Sequence, residues 1–137
     1  MEPEAQRPVE PGVGSMLGPL ATAVMRILWD RGPSSVAEVL DSLNHGRPRQ
    51  LAYTTVMTIL TRLHERGLVE RTRVGRGYVY RTAGDEPASV EALAGQAVDA
   101  VLARYGSAAV RQFGERLGGL DPELRARLIR LAGGEPR

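Results

Sequence analysis

The sequence predicts a mostly α-helical protein that also contains one two-stranded β-hairpin. Apolar residues recur at helical spacing in three successive segments before residue 67. The pattern then alternates over residues 68–73 and 78–82 around a Val-Gly-Arg-Gly turn at 74–77, which predicts two strands joined by a hairpin. Helical spacing returns in three segments after residue 84. Three helices followed by a hairpin form a winged helix-turn-helix, and three further helices form a small second domain.

Capping and breaking residues set the ends of the first two helices. An apolar stripe runs through residues 17–31, and Gly32-Pro33 ends this helix because proline cannot donate to the helical ladder. Ser35 begins the second helix, with Glu38 three residues later completing a capping box. The second helix then ends at residues 44–46, Asn-His-Gly. The second and third helices would form the DNA-reading pair of such a fold.

The third helix, predicted over residues 52–66, has an uncommon solvent face. Its apolar stripe consists of Val56, Ile59, Leu60 and Leu63. The other side carries hydroxyls and one guanidinium, on Thr54, Thr55, Thr58, Thr61 and Arg62. Threonine loses rotamer freedom in a helix, so a solvated face normally favours Glu, Lys, Gln or Arg. Short side chains suit entry into the DNA major groove, where a Thr methyl or hydroxyl meets base edges and phosphates. The alternative is a buried helix rich in β-branched residues.

Charge is distributed unevenly along the chain. The net charge is +2, all eighteen basic residues are arginine, and 42% of residues are apolar although only six are aromatic. Residues 17–83 carry ten arginines against five acidic residues, a local +5, whereas residues 1–16 and 84–137 come to −2 and −1. A basic module beside an acidic one predicts that the first part binds a polyanion.

Domain organisation follows from these patterns. Residues 1–16 are rich in proline and glycine and predict a disordered tail, residues 17–83 the winged helix, and residues 84–137 a helical dimerisation domain entered through a polar hinge at 84–87. Three short amphipathic helices are too thin to stand alone, so a second copy is expected to cover their apolar residues. The expected dimer contacts are Leu93, Val98, Val101, Leu102, Phe113, Leu117, Leu124, Leu128 and Ile129. The alternative is that these helices fold back on their own winged helix.

Several chemistries lack the residues they need. The chain has no cysteine, which rules out disulfides, zinc ribbons and thiol catalysis and fits a cytoplasmic protein. His45 and His64 lie on different elements, so no metal site is expected. We also expect no signal peptide, no membrane insertion, no catalytic residue and no cofactor, because no corresponding pattern is present.

Four segments of the sequence together resemble the penicillinase-repressor family (the BlaI/MecI/CopY group). They are residues 17–29, the third-helix run Ala-Tyr-Thr-Thr-Val-Met-Thr-Ile-Leu-Thr-Arg-Leu at 52–63, Gly-Leu-Val-Glu-Arg at 67–71 and Tyr-Val-Tyr-Arg at 78–81. The resemblance is strong over residues 17–83 and covers the remainder only in length and helical pattern. Ala21 departs from the family, whose members usually carry an acidic residue there, and we expect this to affect local helix pairing.

The resemblance implies a homodimeric bacterial repressor that binds palindromic promoter operators with TACA/TGTA-type half-sites. By position, Thr54, Thr55 and Thr58 match recognition-helix contacts of the family and Arg62 matches a phosphate contact. The predicted DNA-binding set adds residues at the helix start, loop and hairpin, namely Tyr53, Arg49, Arg73 and Arg76.

Two groups of relatives bear on how such a repressor is regulated. Copper-responsive relatives have a Cys-rich C-terminus that this chain lacks. Other relatives are cleaved near an Asn-Phe bond when a membrane sensor protease is triggered. Here Gln112 precedes Phe113, and proteolytic induction stays open. Two alternative functions also remain, a winged helix used as a protein-interaction module and a ligand-sensing winged-helix regulator, although three small helices leave little room for a drug-sized pocket.

Overall fold

The computed structural model describes residues 11–133. A 3-10 turn at Val13–Ser15 precedes six α-helices and three strands within this range. In chain order they are α1 Pro19–Arg31, β1 Ser34–Ser35, α2 Val36–Asn44, α3 Tyr53–Glu65, β2 Val69–Val74, β3 Gly77–Thr82, α4 Glu86–Tyr105, α5 Ser107–Gly118 and α6 Pro122–Gly133. The predicted fold class, mostly helical with a winged helix-turn-helix, is confirmed. The described residues divide into two compact units, 11–95 and 96–133.

The sheet has the antiparallel order β1-β3-β2, so it contains one strand more than predicted. Ser34 pairs with Tyr80, and Arg73 pairs with Tyr78 across the hairpin. Gly75, with φ of 61°, is the first of the two turn residues, and this is the position where a hairpin turn most often needs a positive φ. Gly77 instead begins β3 and has no positive φ. β1 was not predicted, because its two residues are both serine and show no alternation of apolar and polar side chains.

Helix ends in the first unit follow the predicted signals. The Ser35 hydroxyl accepts from the Glu38 N–H at 3.1 Å, and the Glu38 carboxylate accepts from the Ser35 N–H at 2.9 Å. Gly67 has φ of 77°; its N–H bonds the His64 carbonyl, and the Leu68 N–H bonds the Leu63 carbonyl. This Schellman motif ends α3 and turns the chain directly into the hairpin.

The core of the first unit begins earlier in the chain than predicted. Val13 is fully buried and packs in the same cluster as the buried faces of α1, α2 and α3. The expected disorder of residues 1–16 is therefore wrong for Val13–Ser15, because one valine has enough apolar surface to anchor the turn. Residues 1–10 of that predicted tail lie outside the described residues.

The core also ends later than predicted. Leu93 on α4 is 3% exposed and belongs to the cluster that includes α1 and α3. The expected hinge at residues 84–87 is corrected in the same way, since α4 already begins at Glu86. The Trp29 Nε1–H donates to the Gly84 carbonyl at 3.0 Å. The first compact unit thus extends through residue 95 rather than ending at 83.

Glu86 connects the start of α4 to two earlier segments. Its carboxylate accepts from the Val13 N–H at 3.1 Å and pairs with the Arg26 guanidinium at 3.4 Å. The Val13 hydrogen bond and, to a smaller extent, Arg26 lower the pKa of Glu86 against the opposing effect of desolvation. This carboxylate therefore holds the N-terminal turn, α1 and α4 together while it is ionised.

The second unit, residues 96–133, consists of the rest of α4 with α5 and α6. Gly106, with φ of 57°, separates α4 from α5. Asp121 accepts from the Leu124 N–H at 3.3 Å and so caps α6. Among the described residues of this unit, Ala109 alone is buried. No helix within residues 11–133 is long and apolar enough to cross a membrane.

Candidate nucleic-acid interface

The two faces of α3 differ as the sequence predicted. Val56, Leu60 and Leu63 are buried in the core. Thr54, Thr58 and Arg62 are exposed, whereas Thr55, Ile59 and Thr61 are half-buried. Because the apolar side fixes the helix in the core, α3 presents its hydroxyls and one guanidinium to solvent, with Tyr53 and Met57 also exposed.

The loop before α3 is held by Asn44, which the sequence predicted only to lie at the end of the second helix. The Asn44 Oδ1 accepts from the Leu51 N–H at 2.7 Å, and its Nδ2 donates to the Leu51 carbonyl at 3.2 Å. Gln50 Nε2 donates to the carbonyls of Asn44 and Arg47 at 3.2 and 2.9 Å. These bonds fix the backbone next to Tyr53, so Asn44 positions the start of α3.

The side of α3 that faces α1 borders a shallow groove of about 470 Å³. Its α3 wall includes Thr55, Thr58 and Arg62, and its other wall is the beginning of α1, residues 18–21. A helix N-terminus carries a partial positive charge, and Arg62 adds a full one. Arg62 is thus the charged residue of a groove whose lining is otherwise neutral and mostly apolar.

The hairpin places two arginines against one aromatic ring. The guanidinium carbons of Arg71 and Arg73 lie 4.2 and 5.7 Å from the centre of the Tyr78 ring. Arg73 Nε also donates to the Gly75 carbonyl at 3.3 Å. Cation–π contacts restrict the guanidinium groups without neutralising their charge. Arg71 and Tyr78 were not predicted as site residues. Their stacking depends on the register of β2 against β3, and the alternation of apolar and polar residues does not determine that register.

The other arginines of the hairpin and the one in the loop before α3 differ in their partners. Arg76 is exposed at the turn between β2 and β3. Arg81 pairs with Glu70 at 3.1 Å and donates to the Thr72 hydroxyl at 3.2 Å. Arg49 is exposed in the loop before α3. Arg76 and Arg49 thus have the exposure that phosphate contacts need, whereas the charge of Arg81 is compensated within the hairpin.

All eight predicted DNA-binding residues lie in the first unit. Seven are exposed and Thr55 is half-buried. Within residues 11–133, no group of three or more His, Cys, Asp or Glu side chains could hold a metal ion.

The predicted dimer contacts are only partly accessible. Leu93 is buried in the core of its own chain, which corrects its assignment to a dimer interface. The exposed members of the set are Val98, Val101, Leu102, Phe113 and Ile129, and the half-buried ones are Leu117, Leu124 and Leu128. Val101 and Phe113 border an open apolar groove of about 370 Å³ between the end of α4 and α5.

The fold and this basic surface define a winged helix-turn-helix DNA-binding protein. The model of the penicillinase repressor family matches residues 17–133. The transcriptional regulator BlaI from two strains of Mycobacterium tuberculosis, CDC 1551 and H37Rv, is 39% identical over 124 residues, which cover 86% of this chain and 86% of the relative. The chain therefore belongs to the penicillinase repressor family, a family of transcriptional regulators and not of enzymes.

A solved structure is also similar to part of the chain. The solution structure of the DNA-binding domain of the repressor BlaI is 25% identical, covers 52% of this chain and 84% of that domain, and superposes with a TM-score of 0.46.

Proposed function

We propose that this protein represses transcription by binding, as a homodimer, to palindromic operators in duplex DNA. The observation that carries the proposal is α3, whose apolar side is buried while Thr54, Thr58 and Arg62 face solvent. Membership of the penicillinase repressor family supports it. Half-sites of the TACA/TGTA type are expected, with centres about 10 base pairs apart or at a multiple of that spacing. Since bacterial operators lie in the cytoplasm, the proposal implies a cytoplasmic protein.

The homodimer is supported by the surface of the second unit. Only Ala109 is buried among its described residues, so the unit lacks a core of its own. Val98, Val101, Leu102 and Phe113 remain exposed. Covering these side chains with the same residues of a second copy would remove apolar surface from water in both chains.

The proposal is tested by sedimentation and DNA binding with the full chain. Sedimentation equilibrium should give twice the chain mass, and Phe113→Glu should shift the protein toward monomer. Selection from a random duplex library should enrich a palindrome, and binding to it should exceed binding to scrambled duplexes about 10³-fold or more. Absence of any selected sequence, together with salt-independent DNA binding, would instead favour a protein-interaction module.

A membrane sensor protease is the partner that would relieve repression in this proposal. Phe113 is 53% exposed on α5, although Gln112 precedes it in place of asparagine. Mass spectrometry of the protein from induced cells should show two fragments divided between these residues. An intact chain under induction would remove the protease from the proposal.

A further inference from the structure

The exposed surface at the start of α3 lacks the side chains that bind guanine or adenine in pairs of hydrogen bonds. Arginine and lysine bind guanine in this way, and asparagine and glutamine bind adenine. From Tyr53 to Thr61 the exposed and half-buried positions carry tyrosine, threonine, methionine and isoleucine. The first guanidinium on α3 is that of Arg62, more than two turns from the helix start. This part of the helix therefore offers hydroxyls and apolar groups to the bases.

Met57 is the purely apolar side chain at the exposed positions of that surface. It is 42% exposed, whereas Met25 in the core is fully buried. It lies three residues after Thr54, so helical geometry places these two side chains next to each other on the exposed side of α3. Tyr53, one turn earlier and 48% exposed, extends the same apolar edge.

An exposed methionine at this position has a specific complement in duplex DNA. The major groove presents one apolar group among the four bases, the C5 methyl of thymine. A thioether is flexible and polarizable, so it can follow a methyl group more closely than a branched side chain. Within the proposed function, on which this inference rests, the neighbouring threonines would already bring this face of α3 into the major groove.

We propose that Met57 is a specificity-determining residue that contacts a thymine methyl group in each operator half-site. The contact is apolar and therefore distinguishes thymine from uracil, which differs from it only by that methyl. It predicts that the operator contains a thymine whose methyl group increases the affinity of the parent protein. The same methyl group should not increase the affinity of a variant without the Met57 side chain.

The test is a two-by-two comparison of protein and DNA. The duplex is the one that the full-length parent selects from a random library, and each thymine is replaced in turn, symmetrically in both half-sites, by deoxyuridine. Parent, Met57→Ala and Met57→Leu are titrated against each duplex at one salt concentration. Circular dichroism melting shows whether the variants keep the parent melting temperature, as an exposed substitution should.

For one thymine per half-site, deoxyuridine should weaken parent binding about fourfold per half-site, the factor expected for burying one methyl group. Met57→Ala should bind the thymine duplex more weakly than the parent does, by a similar factor. Replacing thymine by uracil should not weaken binding of this variant further. Met57→Leu, which keeps an apolar side chain, should retain the discrimination. Arg62→Ala, as a matched control on α3, should weaken binding to both duplexes and leave the thymine-to-uracil ratio at the parent value.

Three results would overturn the inference while leaving the repressor function intact. One is a parent that binds equally well when any thymine is replaced by deoxyuridine. Another is a Met57→Ala variant whose loss of affinity adds to the loss caused by the missing methyl. The third is DNA binding by Met57→Ala that equals that of the parent. Failure of the parent to select any duplex would overturn the proposed function and this inference together.

Discussion

Asn44 and Leu51 exchange two hydrogen bonds, through which a side chain at the end of α2 fixes the backbone just before α3. The geometry copies a pair of strand hydrogen bonds, with the amide of Asn44 in the place of a peptide. The position of α3 thus depends on a residue that lies outside this helix.

Asn44→Ala should lower the free energy of unfolding by about 1–3 kcal/mol, because the half-buried Leu51 N–H loses its acceptor. It should also weaken operator binding without altering the salt dependence, since no charge is removed. Urea denaturation and titrations at two salt concentrations measure the two effects. The control is Gln50→Ala, which removes only exposed hydrogen bonds and should stay within about 0.5 kcal/mol of the parent. Equal stability of the two variants would contradict the positioning role of Asn44.

Thr58 and Arg62 should affect specificity differently. If Thr58 contacts a base, Thr58→Ala should cost roughly 1–3 kcal/mol on the selected operator and little on a scrambled duplex. Arg62→Ala should weaken both, because a phosphate carries no sequence information. Parallel titrations of both duplexes separate these outcomes. If Thr58→Ala distinguishes the operator from the scrambled duplex as well as the parent does, Thr58 does not contact a base.

The hairpin offers a matched pair of arginines for testing phosphate contact. Arg76→Ala should weaken binding to all duplexes and reduce the slope of log K against log salt by about one unit, because one counterion fewer is released. Arg81→Ala removes the same charge from a side chain already paired with Glu70, so its slope should change far less. Affinities measured over a salt series give both slopes. The same slope for Arg76→Ala and the parent would exclude the contact.

Two truncations test where the DNA-binding unit ends. A chain ending at residue 95 should be folded and monomeric, and it should bind a palindrome weakly, because linkage of two half-site binding events is lost. A chain ending at residue 83 also loses Leu93 and Glu86, so its melting temperature should be lower. Light scattering and thermal melting check both expectations. Dimerisation of either truncated chain would refute the assignment of the dimer contacts to residues 96–133.

Glu86 should contribute a pH-dependent part of stability. Its pKa in the folded state is lowered mainly by the Val13 N–H and further by Arg26, so its contribution is present above the unfolded pKa of about 4.5 and is lost as pH falls through the folded pKa. Glu86→Gln should therefore destabilise the protein at neutral pH and show a flatter loss of stability below pH 5. Melting curves from pH 7 to 3 measure this. Arg26→Ala removes the smaller cause of the lowered pKa and should keep part of the acid dependence. If Glu86→Gln and the parent show the same melting temperature at every pH, Glu86 makes no pH-dependent contribution to stability.

Local patterns were sufficient for most of this fold. The capping box at Ser35, the Schellman glycine Gly67 and the burial of Val56 each depend on residues within a few positions, so the sequence could predict them. The exposure of Thr54 and Thr58 followed from the same helical phase. The fold class was predictable because these signals occur in one order along the chain.

Features that depend on distant partners were not predictable. Val13 is buried because α1 and α4 shape a site for it. The Pro- and Gly-rich sequence around it shows no apolar pattern that would predict this burial. Ser34–Ser35 becomes a strand only beside Tyr80. The apolar stripe of α4 showed that Leu93 would be covered but could not tell whether its own chain or a second copy would cover it.

Trp29 gives this protein an intrinsic optical reporter. It is the only tryptophan in the sequence, and its indole N–H is bonded to the carbonyl of Gly84, just before α4. Indole emission shifts in wavelength when that hydrogen bond is exchanged for water. Fluorescence excited at the red edge of the absorption band, where the four tyrosines contribute nothing, would therefore follow detachment of this junction in real time, in unlabelled protein, while DNA or an inducer is added.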